Sequence, residues 1–164
     1  MELWDVYDKE GNKTGKTHTR GVPLSPGDYH LVVENWIRND KGHYLIQKRN
    51  KPLRDYVNPW SSTAGSVVAG ESSIIAVQRE TEEEMGLFFS PSQFSFKGRH
   101  RFDDTLMDVY ESLWNGDSEA LNFDPEEVSA VKWVKIDELQ KMVQTGEFYS
   151  HRTPYLERLL KNDQ

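Results

Sequence analysis

Five glutamates fall between residues 71 and 84, four of them between 80 and 84, and Arg79 stands among them. On a helix, at about 100° per residue, Glu80 and Glu84 lie one turn apart and Glu83 flanks them, so the three share one arc. Glu82 points away from that arc. Carboxylates this close repel one another, and the natural counter-charge is a hard divalent cation, Mg²⁺ or Mn²⁺, held through oxygen. Such a cation keeps positions for water and for substrate phosphate oxygens. Arg79 is suited to orient a carboxylate by a charge-assisted hydrogen bond, or to meet phosphate. The competing reading of a Glu-rich helix is a solvated acidic face that balances nearby Lys and Arg. Convergence on one arc beside an apolar stripe, between Gly65 and Gly86, favours a site.

The elements that must position these residues follow from periodicity. Residues 71–85 fit a helix, with Ile74, Val77, Thr81 and Met85 as its apolar stripe and Gly86 as its C-cap. Residues 3–21 read as a β-hairpin turning at Glu10, Gly11 and Asn12. Residues 30–50 hold two β-rich runs joined at 39–42, and neither face of the first is cleanly polar, which marks a well-buried strand. Residues 51–60, with two prolines, read as a loop. Strands are expected at 94–102, 106–114 and 130–136, then a helix at 137–146 and a final amphipathic helix at 152–162. This order predicts an α+β fold, an α/β/α sandwich with a mixed β-sheet between helices. A single domain over residues 1–164 is expected, with 1–28 as an N-terminal hairpin extension.

Composition narrows the field further. The net charge of −7 argues against a nucleic-acid partner. No apolar run approaches the roughly 18 residues of a membrane span, and a cytoplasmic protein is expected. Without cysteine there is no disulfide, thiolate metal site or cysteine nucleophile. A homodimer is compatible with the sequence, though no residue pattern in it calls for one.

Residues 65–87 resemble the Nudix box: Gly65, Glu71, Arg79, Glu80, Glu83, Glu84, Gly86 and Leu87 stand in its register. Thr81 departs from it, standing where a hydrophobic residue is usual, and reads as a packing change that leaves the metal site intact. The resemblance implies a Nudix fold and hydrolysis of a small organic diphosphate. Glu80, Glu83 and Glu84 would be metal ligands, with the carbonyl of Ala64 or Gly65 as a further one. Glu71 and Arg79 would support them, and one glutamate would accept a proton from water on the metal. Family members often add a late acid, for which Glu126 and Glu127 are the candidates.

The N-terminal half is also similar to the isopentenyl-diphosphate isomerase branch, through LWDVYD, YHLVVENWIRNDKG, the QKR that follows, and Pro59-Trp60. That pattern has a catalytic cysteine before the box glycine, then a histidine metal ligand; here the positions hold Ala64 and Ser66. His30 matches another metal-binding histidine of the isomerases, against its alternative as a strand histidine at a sheet edge. These substitutions favour a hydrolase over an isomerase, and the intact carboxylate set argues against a non-catalytic sensing module. Among the basic residues Lys48, Arg49, Lys51 and Arg54, either Arg49 or Lys51 would hold a substrate phosphate if the strand ending near Arg49 leads into the cleft, against the alternative of a solvated loop. Tyr56, Trp60, Phe102 and Trp114 are candidates for stacking on substrate, although core is the commoner fate of such aromatics, and Trp133 is assigned to the core. Residues 51–60, 100–105 and the C-terminal helix are expected to line the remaining cleft.

Overall fold

The computed structural model describes residues 1–53 and 55–161; Arg54 of the basic run and the end of the last predicted helix lie outside the described residues. Strands β1 (Leu3–Tyr7) and β2 (Lys13–Thr19) form the expected hairpin as a two-stranded sheet of their own. Its turn follows from Asp8, whose carboxylate accepts the Glu10 and Asn12 amides while Gly11 takes φ 88°. Two of its anchors run through the main chain of the body. Tyr7 and Tyr29 exchange backbone hydrogen bonds, and Ala69 and Gly70 donate to the Leu3 carbonyl and the Asp5 carboxylate, each at 2.8 Å.

The other seven strands form a mixed sheet. They are β3 (His30–Arg38), β4 (Tyr44–Arg49), β5 (Trp60–Ser61), β6 (Thr63–Ser66), β7 (Ser95–Phe102), β8 (Thr105–Leu113) and β9 (Val128–Val134). β3 lies parallel to β8 along one edge. Its other edge is shared: Ile37 and Arg38 pair with β4, while Val32 to Asn35 pair with β6. β4 and β6 therefore part company along β3, and β4 continues with β9 and β5 as its partners.

Three helices cover the two faces: α1 (Ser73–Met85), α2 (Ile136–Thr145) and α3 (Pro154–Lys161). Leu31, Val33, Ile37 and Leu45 pack on Ala76, Val77 and Met85 of α1. On the opposite face Trp36, Ile46, Met107 and Val109 pack on Leu139, Met142 and Leu156 of α2 and α3. Burying each such side chain contributes about 1.5–3 kcal/mol. Helices on both faces explain why β3 reads as apolar throughout, and the α/β/α layering matches the expectation.

Three local expectations shift. α1 begins at Ser73, because the Ser72 hydroxyl caps it by accepting the Ile75 amide, which leaves Glu71 in the preceding loop. Trp60, expected in a loop, pairs with Lys48, and the short strand β6 carries no β-propensity pattern in its sequence Thr-Ala-Gly-Ser. Thr81 is fully buried but hydrogen-bonded rather than packed as a hydrophobe. It donates to the Val77 carbonyl at 2.7 Å and accepts from Asn35 at 3.1 Å, and Asn35 accepts from Ser112.

Candidate active site

Arg79 is the hub of the acidic cluster. Its guanidinium donates to both Glu71 oxygens at 2.8 and 3.0 Å, to Glu80 at 2.8 Å, to Glu83 at 3.1 Å and to the Ser66 carbonyl at 3.0 Å. Those hydrogen bonds, with Glu71 first, hold its proton more tightly than in water. Glu71 also accepts the Val68 amide, so it ties the loop before α1 to the helix. Glu84 takes a different partner: it is buried and accepts from Gln47 at 2.8 Å.

Burial, then the charge of Glu80, pushes the Glu84 carboxyl up to about 8. Burial likewise raises Glu80, against the opposing pull of Arg79. One guanidinium thus bonds three carboxylates and leaves Glu84 without a cation, and added positive charge is what such a cluster lacks. Gly65 belongs to the same packing. A Cβ there would sit 2.0 Å from the Glu80 carboxyl carbon, so the absence of a side chain is what lets β6 and α1 bring the carboxylate against the backbone.

The donor set therefore fits a hard divalent cation, with one adjustment. Among the described residues no three acidic or histidine side chains stand close enough to hold a metal together. The reason is visible in the partners: Glu80 and Glu83 turn to Arg79 while Glu84 turns to Gln47. Glu83 is 59% exposed, and its ion pair with Arg79 is the one that a cation could replace with least cost.

These residues open onto a cavity of about 790 Å³ that also receives Ala64, Gly65, Arg49, Lys51 and Glu127. The structure thus brings the sequence-predicted set onto one cavity, except Glu71, which bonds Arg79 but is not in the lining. Lys51 and Glu127 form an ion pair at 2.5 Å, and Arg49 has a buried Nε without a partner. Of the two late acids, Glu127 lines the cavity and Glu126 does not. His30 lies at the start of the central strand β3, not at a sheet edge. It stacks on Trp4 at 4.1 Å, and its Nε2 meets the Thr105 hydroxyl at 3.0 Å. Burial lowers its proton affinity, and its Nδ1 is unpartnered.

Other expectations divide here: Trp60, Phe102 and Trp114 take the core alternative, and part of the expected lining reaches the cavity. Tyr56, Trp60, Phe102 and Trp114 do not line the cavity. Trp60 and Phe102 pack on the α2–α3 core, and Trp114 stacks on Trp133 at 5.8 Å against the other core. The C-terminal helix contributes no wall; the segment before it does, through Tyr149, Ser150 and His151. Among the described residues of 51–60 only Lys51 and Leu53 reach the cavity, and of 100–105 only Thr105. Residues missed by the sequence include Glu34, Ser62 and Ser150. Glu34 is 2% exposed, and burial raises its carboxyl above the usual range although the Ser62 hydroxyl opposes the shift. An acid inside a strand with two apolar faces was the available signal.

Comparison with known proteins agrees with this geometry. The family model of the NUDIX domain matches residues 28–157. A Nudix hydrolase of Listeria monocytogenes is 38% identical over 149 residues, covering 90% of this chain and 88% of that one. An isopentenyl-diphosphate Delta-isomerase of Streptomyces griseus is 30% identical, covering 84% and 73%. Among solved structures, a Deinococcus radiodurans protein superposes with a TM-score of 0.74 at 21% identity, over 96% and 97% of the two chains. A MutT protein of Methanosarcina mazei gives 0.64 at 22%, over 83% and 96%. On the family model, the relatives and the shared fold together, this chain belongs to the Nudix family and is a Nudix diphosphohydrolase.

Proposed function

We propose that the chain is a Mg²⁺- or Mn²⁺-dependent hydrolase, one domain over residues 1–164, that cleaves a diphosphate linkage in a nucleoside-diphosphate-type or other organic diphosphate. The observation that carries this is that Glu80, Glu83 and Glu84 line one cavity together with Arg79, which bonds the first two and is itself held by Glu71. Glu80, Glu83 and Glu84, with the carbonyl of Ala64 or Gly65, would hold the cation. When bound, the cation supplies Lewis-acid polarisation of phosphate oxygens and a water of lowered pKa. The chain's own residues do the rest. Arg79 and Glu71 keep Glu80 aimed, one of the glutamates accepts the proton of the attacking water, and Arg49 or Lys51 takes a non-bridging phosphate oxygen.

The test is a panel of nucleoside-, sugar-, coenzyme- and isoprenoid-linked diphosphates with Mg²⁺ and Mn²⁺, scored for phosphate and pyrophosphate. Turnover that EDTA abolishes and added metal restores is expected. Absence of metal-dependent turnover, or full activity in Glu83→Gln and Glu84→Gln, defeats the proposal.

A second reading, the isomerase, has the 30% identical Streptomyces relative and His30 in its favour. Against it, the Ala64 methyl can neither donate nor accept a proton, and Ser66 stands in the metal-histidine position. Incubation with isopentenyl diphosphate decides: formation of the allylic isomer would establish this reading.

A further inference from the structure

Arg79 bonds Glu80 and Glu83 but not Glu84, so the third proposed metal ligand is aimed by something else. The place to look is the fork in the sheet. β3 pairs through Ile37 and Arg38 with β4, and through Val32 to Asn35 with β6. Gln47 of β4 and Thr63 of β6 stand just past the point where those two strands part, and their side chains meet across it.

Both residues are buried, and so is Glu84. Gln47 Nε2 donates to Glu84 Oε2 at 2.8 Å, while Gln47 Oε1 accepts from the Thr63 hydroxyl at 3.3 Å. The amide is therefore read at both ends. Reversed, it would set its own oxygen against a carboxylate oxygen, two acceptors in a buried place. Among the described residues no other side chain hydrogen-bonds Glu84. Burial and the charge of Glu80 work against its charged form, and the Gln47 bond, the charge of Arg49 and the Ala64 amide work for it. A carboxylate oxygen that accepts one hydrogen bond keeps a second lone pair for a cation.

We infer that Gln47, itself set by Thr63, is a positioning residue that aims the Glu84 carboxylate at the metal. Without the amide, that carboxylate is free to turn about its last bond, and a cation binding there must first fix it. Partners that orient a ligand in this way typically govern about 10- to 100-fold in metal affinity or activity. The inference rests on the role of Glu84 as a metal ligand proposed above, and it is measured by metal binding with no substrate present.

The experiment titrates Mn²⁺ into the full chain and follows free Mn²⁺ by electron paramagnetic resonance. Gln47→Leu should weaken Mn²⁺ binding by about tenfold and lower kcat at saturating metal by about tenfold, with KM for the diphosphate within about threefold. In a Glu84→Gln background the same change should cost less than about twofold in Mn²⁺ affinity, since no carboxylate is left to aim. Thr63→Val keeps the shape of the side chain but removes the hydroxyl, and should weaken Mn²⁺ binding by about fivefold, whereas Thr63→Ser should stay within about twofold. The two Thr63 variants carry the test if Gln47→Leu does not fold. Wild-type affinity in Gln47→Leu or Thr63→Val, an equal loss with and without the Glu84 carboxylate, or no Mn²⁺ binding by the wild-type chain would each overturn the inference. The expected losses of Mn²⁺ affinity in a chain that turns over no diphosphate would leave it standing and remove the hydrolase reading instead.

Discussion

Replacing Gly65 by alanine tests how the carboxylate cluster is held. The added Cβ would stand 2.0 Å from Glu80 Cδ and 2.2 and 2.4 Å from its oxygens, whereas ordinary contact begins at 3.4 Å. The carboxyl must therefore move by at least 3.4 − 2.0 = 1.4 Å. That exceeds the whole range between a good hydrogen bond and none, so the 2.8 Å bond to Arg79 is at risk. Misplacing a reacting group by ~1 Å can cost 100-fold in rate, and we expect a loss of at least that size in kcat. Stability should fall by only about 1–2 kcal/mol, because the displaced group ends a flexible side chain and Arg79 keeps Glu71 and Glu83. Initial rates with saturating Mg²⁺ and urea melts of the same preparation give both numbers. The double variant with Glu80→Ala completes a cycle: with the carboxyl gone, the alanine should cost less than about twofold. Activity within threefold of wild type, or an equal cost with and without Glu80, would refute the reasoning.

Other substitutions probe the rest of the frame. Arg79→Lys keeps the charge but cannot span Glu71, Glu80 and Ser66 at once, and kcat/KM should fall by about 100-fold without rescue by added metal. Thr81→Val restores the usual hydrophobic residue but leaves buried Asn35 without its acceptor. A loss of about 1–3 kcal/mol in urea unfolding is expected, with the activity of the folded variant unchanged within a few fold. Tyr155→Phe removes the hydroxyl that donates to Glu111 at 2.5 Å and should cost about 1–3 kcal/mol. Burial alone would raise Glu111, but the bonds from Tyr155 and Arg38 outweigh it and leave the carboxyl below its ordinary 4.5. A depressed carboxylate stabilises above its unfolded value and loses that contribution as pH falls through the folded one. The wild-type advantage over Tyr155→Phe should therefore be full near neutrality and shrink below pH 4.5.

How much of this could be read beforehand depended on the distance along the chain that an interaction spans. Arg79, Glu80, Glu83 and Glu84 are within two turns of one helix, where a period of about 3.6 residues dictates which side chains meet. Glu71 was expected to support the cluster only through the family resemblance, and its bond to Arg79, across eight residues and a helix start, was not read from periodicity. The bonds from Ser62 and Ser150 to Glu34 span 28 and 116 residues, and no local pattern encodes them. Strand β6 escaped for a related reason: its four residues are paired by β3, not by propensity of their own. The C-terminal helix shows the reverse case. Its amphipathic pattern was correct, yet amphipathicity does not say which layer a helix covers, and α3 sealed the second core while the segment before it reached the cavity.

The N-terminal hairpin has a consequence for how this chain can change. It lies outside the 28–157 span of the family model and belongs to no ladder of the main sheet. Even so, Glu2 and Arg20 stand in the cavity wall, Trp4 lies flat on His30, and Leu3 and Asp5 grip the turn that leads into α1. Exchanges at Glu2 and Arg20 therefore reshape the cavity wall without touching a ladder of the main sheet. The hairpin is thus a part of the chain where the cavity wall can vary at least cost to the main sheet.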